Sequence, residues 1–426
     1  MHIASAIAPE ITSVWALFCR DAGLDWVPSE ESSADIRISE SEGADIRLSA
    51  AFRVAFLEGE FCSEILMPDE PLLRNATGNP DYLSSAFYLI NSFQEYGNSA
   101  TDRYGRFPVE ASLQFRFGVL ERNLVSEYFQ QLWCDIAVLS ALGDWPSKPS
   151  QLFLSHDIDR VFHAWKEDGK KALKSGRIDQ FAGLLYRQVA GAPDWCNAID
   201  ILEFDRQMQW PATFFWIPVK GEKLDPPEAD YSWDDPRLLT QWHAVDKAEG
   251  YENGLHTSAG GKVRDEVNSL PGKVRANRNH FLNFRLPNHY DDVQDSGLQI
   301  DASLGWSSHS GFRNSYGKPF HPWNPAKRHA YDFLEVPIHL MDTTFQHYFQ
   351  GEEAGPEQAK AQFSAFLEQH RSDSCISVLW HNNSFTSGTY SGYREVLEAL
   401  LTQAVAQGIK PVSLTDMLQF RYKTGP

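Results

Sequence analysis

The stretch Gln151-Leu-Phe-Leu-Ser-His-Asp-Ile-Asp159 decides how this chain is read. Leu152, Phe153 and Leu154 are apolar without alternation, the pattern of a strand buried on both faces, as in parallel sheets. The strand runs out into Asp157 and Asp159, which extended backbone places on one side because side chains alternate. Toward the C-terminus the pattern repeats. Short strand-like stretches recur at Ala212–Val219, Tyr251–His256, Arg278–Phe284, Leu298–Ala302, Phe333–Ile338, Cys375–His381 and Ile409–Val412. Helical stretches lie between them at Pro236–Glu249, Arg264–Ala276 (interrupted by Pro271-Gly272), Pro356–Arg371 and Arg394–Gln407. A last short helix opens at Ser413, with Asp416 at the capping-box position. Alternating strands and helices imply parallel strands joined by right-handed crossovers. The fold expected over residues 150–426 is therefore α/β, a distorted or incomplete (β/α) barrel.

Toward the N-terminus the composition breaks at Gly143-Asp-Trp-Pro-Ser-Lys-Pro-Ser150, which reads as a linker. Residues 1–145 form a mixed α+β domain in this reading. Ile11–Ala22, Tyr82–Tyr96 and Glu121–Ala141 have helical spacing, and Ala44–Phe56 alternates like strands. No chemical cluster stands out there, so a packing or substrate-platform role is expected.

The whole chain has 426 residues, 38 Lys and Arg and 57 Asp and Glu, a formal charge of −19. That balance weighs against a nucleic-acid partner and against docking on an anionic membrane. No apolar run approaches the ~18 residues of a membrane span. The first ten residues lack the basic-then-apolar order of a secretory leader. Cys19, Cys62, Cys134, Cys196 and Cys375 are odd in number and dispersed, so a reduced, cytoplasmic setting is expected. There is no Gly-x-Ser-x-Gly elbow, P-loop or dinucleotide fingerprint. The run Lys166–Arg177 is interrupted by acids and reads as a solvated helix face.

In β/α barrels the C-terminal strand ends form the face that carries chemistry, so residues distant in sequence can converge there. Asp157, Asp159, His256, Arg278, His280, Asp301 and His381 all fall at or near such ends. The two aspartates repel unless a cation or proton lies between them, but Asp157 and Asp159 also suit a turn or helix cap before Arg160. His256 and His280 singly read as loop and core histidines. With Asp159 they make a two-histidine, one-carboxylate set suited to zinc or another divalent metal with open positions. His381 is a candidate general acid, a further ligand, or structural. Arg278 could keep Asp157 ionised, or be a solvated strand-edge charge.

The ordered series Ser155-His-Asp-Ile-Asp159, Ala212-Thr-Phe-Phe215, Gly254-Leu-His256 and Leu379-Trp-His381 resembles the polysaccharide deacetylases of carbohydrate esterase family 4, the NodB-homology fold. The stretches Ala86–Tyr96, Asp102-Arg-Tyr-Gly-Arg-Phe-Pro108, Arg278–Leu282, Asp301–Gly305 and Gly311-Phe-Arg313 are similar to a divergent branch with an extra N-terminal domain. The resemblance implies Asp157 as base, Asp159 and His256 as metal ligands, Arg278 as the residue orienting the base, and His381 as general acid. It implies zinc-assisted hydrolysis of an acetyl group from an N-acetylated (or O-acetylated) sugar, in assembly of a surface polysaccharide. The second histidine of the family's pair would fall at Gly260, and His280 is the replacement expected from the next strand. The competing expectation is a catalytically silent glycan-binding protein of the same fold, with Trp216, Trp306, Trp323 and Trp380 stacking sugars in the cleft.

Overall fold

Gln151–Ile158 is a strand buried along nearly its whole length, five residues longer than its apolar run Leu152–Leu154. It is β1 of a nine-stranded sheet in the computed structural model, which describes residues 2–4, 8–30, 33–221, 228–348, 355–388 and 390–421. Met1 and residues 5–7, part of the opening stretch read for a leader, lie outside the described residues. The other strands are β2 (Ala212–Trp216), β3 (Glu252–Thr257), β4 (Ala276–Asn279), β5 (Ile300–Asp301), β6 (Leu334–Glu335), β7 (Leu340–Met341), β8 (Cys375–His381) and β9 (Lys410–Pro411). Their order is β6-β5-β4-β3-β2-β1-β8-β7, with β9 beside the start of β1. Every pairing in it is parallel.

The two edge strands do not pair, so the sheet stays open. They are nonetheless consecutive in the chain. Glu335 and Leu340 are joined by residues 336–339, a reach of at most ~18 Å. Eight flat strands would set those edges about 34 Å apart. The sheet therefore curls into a partial barrel. β7 is two residues long, too short for an apolar run to signal, and sequence reading missed it.

Strand alternation then decides what fills the curl. Leu152, Leu154 and Ile158 pack with the surrounding helices, while Phe153 joins Phe215, Ala276, Ile300, Leu334 and Cys375 in a second cluster inside. Above this apolar plug the inward positions of β1 become Ser155 and Asp157, so polarity rises toward the C-terminal ends.

Three expected elements differ. Ala44–Phe56 is not a pair of strands. Ile46–Arg47 is a short strand, and Ala50–Glu58 is a helix whose N-cap Ser49 accepts the Phe52 amide. A good cap followed by two alanines outweighs the alternation. Arg264–Ala276 is helical only over Val263–Glu266, because Pro271-Gly272 breaks it and Ala276 begins β4. β4 ends at Asn279 rather than Phe284. Phe281 and Leu282 adopt φ of +59° and +52°, turning the chain into a short 3₁₀ helix, His280–Leu282.

Residues 9–140 pack on the sheet's outer layer through a continuous core. Glu95 and Arg313 form a bidentate ion pair at 2.9 and 2.7 Å, both buried, and Tyr316 donates its hydroxyl to Asp21 at 2.8 Å. Among the described residues no helix is long and apolar enough to cross a membrane.

Candidate metal and catalytic site

Asp157, Asp159, His256, His280 and His381 line one cleft of about 420 Å³ at the C-terminal strand ends, and Arg278 lies behind Asp157. Asp301 does not join them. It faces the outer helix layer, bonded to His289 at 2.7 Å and Asn277 at 2.7 Å.

Arg278 is fully buried, and each of its three nitrogens donates a hydrogen bond. It donates to Asp157 Oδ1 at 2.7 Å, Ser155 Oγ at 2.9 Å and the Ala302 carbonyl at 2.9 Å, and its guanidinium lies 4.3 Å from the Phe215 ring centroid. One Asp157 oxygen is thereby tied down and the other is left toward the cleft, 3.4 Å from His256 Nε2. His256 Nδ1 lies 2.9 Å from the Arg278 carbonyl. A carbonyl only accepts, so Nδ1 carries the proton, and in the neutral form the Nε2 lone pair is directed inward. That Nε2 is 3.2 Å from Asp159 Oδ1.

His280 comes from the turn after β4, not from the strand. Its Nε2 is 3.5 Å from Asp159 Oδ2, and its ring centroid is 5.1 Å from that of His256. Asp159 Oδ1 and both His280 nitrogens are buried without a hydrogen-bond partner, an arrangement that costs free energy unless something else satisfies it. Ligand atoms of Asp159, His256 and His280 lie within 4.8 Å of one another. This donor set, one carboxylate and two imidazoles with orphaned atoms converging, fits a divalent metal of the zinc type. Gly260, where the family pattern has its second histidine, sits in a turn at φ +81°, a conformation unfavourable to histidine.

Electrostatics follow from this crowding. Burial alone would raise the Asp159 carboxyl, but the imidazoles of His280, His256 and His381 overcome it and hold it well below the usual carboxylate range. Burial pulls the His280 imidazole below its ordinary value despite Asp159. Burial also disfavours charge on His381, yet Asp342, with help from Asp159 and Asp157, pushes it up to about 10.

Asp342 is the residue that sequence reading overlooked. Its Oδ1 lies 2.7 Å from His381 Nδ1, and its Oδ2 accepts the His381 amide at 2.8 Å and the Ser384 hydroxyl at 2.5 Å. It follows β7, the strand too short to be noticed. His381 Nε2 is left toward the cleft, 3.7 Å from Asp159 Oδ2.

The segment before the barrel supplies a wall of this cleft, through Arg103, Tyr104 and Arg106. Arg106 is held by Asp102 at 2.7 Å and donates to the Phe281 carbonyl at 2.8 Å. The rings of Tyr104 and Phe281 stack at 5.7 Å, 4° from parallel. Asp102–Pro108 was legible as a motif but not as part of the site. The four tryptophans expected to stack sugars do not line the cleft. Trp216 packs on Trp233 and Trp242, Trp323 on Phe87, and Trp380 on Phe363, while Trp306 borders the adjoining cavity beneath Arg313. All four are buried because the outer helices and the N-terminal segment cover them. The aromatic side chains at the cleft are Tyr104, Phe281 and Tyr390.

Residues 40–139 match a family of unknown function, DUF7033. No curated protein matches the chain. Solved structures similar to it include a provisionally named polysaccharide deacetylase involved in O-antigen biosynthesis from Bordetella bronchiseptica. That match has 14% identity, covers 64% of this chain and 89% of the other, and has a TM-score of 0.33. Another is a provisionally named polysaccharide deacetylase from Mycobacterium smegmatis, at 14% identity, 64% and 96% coverage and a TM-score of 0.37. A third is a GH57-type branching enzyme from the hyperthermophilic archaeon Pyrococcus horikoshii, at 10% identity, 64% and 70% coverage and a TM-score of 0.33.

Proposed function

We propose that this chain is a metal-dependent hydrolase that removes an acetyl group from an N- or O-acetylated sugar, a unit of a surface polysaccharide or its precursor. One observation carries the reading. A tethered carboxylate, Asp157 on Arg278, and an imidazole, His381 on Asp342, flank one three-donor cluster, Asp157 lying 3.4 Å from its His256 and His381 3.7 Å from its Asp159. The ordered motifs of the sequence support the same chemistry.

Asp159, His256 and His280 would hold the ion, and the donor set favours zinc. When bound, it would supply Lewis acidity toward the acyl carbonyl and acidify water at the site. The remaining steps belong to this chain's side chains. Asp157 accepts a proton from the attacking water on the oxygen that Arg278 leaves exposed. Arg278 keeps that carboxylate oriented and compensates its buried charge. His381 donates the Nε2 proton to the departing sugar nitrogen or oxygen, and Asp342 stabilises the imidazolium until then. The products are acetate and the free amine or alcohol. Tyr104 and Phe281, stacked on each other, border the place where the sugar would lie.

The test is acetate release by the full chain, loaded with zinc, from a panel of N- and O-acetylated sugars and oligosaccharides. Acetate release by the wild type, and its loss in Asp157→Asn with zinc content retained, is the expected result. Zinc-loaded wild type that releases no acetate from any member, or an Asp157→Asn variant as active as wild type, would reject the reading.

A further inference from the structure

The helical hairpin Ala164–Lys174 and Ile178–Val189 turns an apolar stripe toward solvent. Ile178, Leu185, Tyr186 and Val189 are 68%, 37%, 74% and 80% exposed. With the exposed Ala182 they fall at i, i+4, i+7, i+8 and i+11, one continuous face of the second helix. The opposite side of that helix does the packing, where Leu184 is buried against Ala164 and Trp195. A surface helix ordinarily turns such a stripe to the core. Here the core-facing side is already occupied, and the stripe remains uncovered. Leu173 on the first helix is also 46% exposed.

The charge around the stripe is the reverse of the chain's. Residues 164–190 contain six Lys and Arg against three Asp and Glu, a net of +3 in a chain of −19. Lys166, Lys170, Lys171, Lys174 and Arg177 are exposed, whereas Asp168 is buried and Glu167 is taken up by Arg160; Asp179 is the exposed acid, and Arg187 pairs with Asp194. The whole-chain balance that weighs against an anionic surface therefore does not describe this face. Cations beside an exposed apolar stripe match the boundary between anionic headgroups and acyl chains. Two copies meeting through this face would instead oppose like charges.

We propose that the hairpin docks the molecule on an anionic lipid surface, Ile178, Leu185, Tyr186 and Val189 entering the headgroup boundary and Lys166, Lys170, Lys174 and Arg177 pairing with lipid phosphates. The hairpin also abuts the cleft wall. Gln180 donates to the Ser387 carbonyl at 3.2 Å, and Lys171 Nζ lies 5.5 Å from the centroid of the Tyr390 ring, which lines the cleft. Docking stands independently of whether the cleft hydrolyses an acetyl group.

Cosedimentation of the full chain with vesicles of phosphatidylcholine, alone or mixed with phosphatidylglycerol, tests this. The wild type is expected to sediment with the mixed vesicles, less so at high salt, and hardly with phosphatidylcholine alone. Ile178→Ser/Tyr186→Ser/Val189→Ser and, separately, Lys170→Glu/Lys174→Glu are each expected to weaken binding about tenfold or more, with melting temperatures unchanged. If the triple substitution perturbs folding, the charge reversal decides. Wild type that does not sediment with mixed vesicles, binding indifferent to lipid charge, or charge-reversed protein that binds as well as wild type would overturn the proposal. So would a dimer in solution that the triple substitution dissociates.

Discussion

Arg106 Nη1 donates to the Phe281 carbonyl at 2.8 Å, a hydrogen bond between residues 175 positions apart. It fastens the turn that carries His280. Phe281 and Leu282 occupy left-handed φ angles there, conformations that cost on the order of 1 kcal/mol each for residues with side chains and persist only where surroundings hold them. Arg106 itself is fixed by Asp102, and Tyr104 stacks on the same Phe281. The segment that matches a family of unknown function thus braces one proposed ligand of the cluster.

Replacing that brace loosens the donor without removing it. Arg106→Ala is expected to weaken zinc binding about tenfold, the size of effect seen when groups behind metal ligands are lost. Competition with a chelator measures it. Zinc affinity equal to wild type would show that the turn holds itself.

Asp342→Asn keeps a hydrogen-bonding group beside His381 but removes the charge that raises the imidazole. With that carboxylate gone, His381 loses its proton at lower pH. The alkaline limb of the kcat/KM profile should move toward acid, and kcat should fall about 100-fold with zinc content unchanged. A profile that does not move would remove His381 from the acid role.

Gly311 joins the two halves of the chain by backbone alone. Its φ is +124°, and a Cβ there would meet the Leu120 carbonyl oxygen at 2.1 Å, while the neighbouring Phe312 amide donates to that same oxygen at 2.8 Å. Gly311→Ala should cost about 3 kcal/mol or more, since neither strain nor clash can relax into a flexible side chain. Urea unfolding reads this, and an unchanged midpoint would contradict the packing of Leu120 on Gly311.

Three imidazoles away from the cleft are buried in neutral form. Burial lowers His339 to about 3, and His321 and His370 to about 4. Their folded values lie below the ordinary 6.5, so the stability they contribute is present above pH 6.5 and is lost as pH falls toward 4. Acidification from pH 7 to pH 5 should cost up to about 2 kcal/mol per imidazole. His321→Asn, whose amide can replace the Nδ1 donor to the Tyr331 and Phe333 carbonyls, should flatten the dependence of the urea midpoint over that window. An equal slope in wild type and variant would contradict burial as the cause.

Strand β1 and the residues at its end were legible because an apolar run ending in Asp-x-Asp is a local pattern, and the later strands repeat it. His280 was legible as a residue but not in its setting, since left-handed φ at Phe281 and Leu282 leaves no sequence signature in non-glycine residues. Asp342 was invisible because its strand spans two residues and its partner is 39 positions away. The Ala44–Phe56 error shows a cap outweighing periodicity. The tryptophans were misjudged because aromatic content says nothing about which layer covers a ring.

Zinc content of the full chain after equilibrium dialysis, wild type against Asp159→Ala and His256→Ala, tests the central claim most directly. About one ion per chain is expected in the wild type and little in either variant, because each loses one of three donors. Wild type that retains no zinc, or either variant retaining a full equivalent, would contradict a metal held by Asp159, His256 and His280.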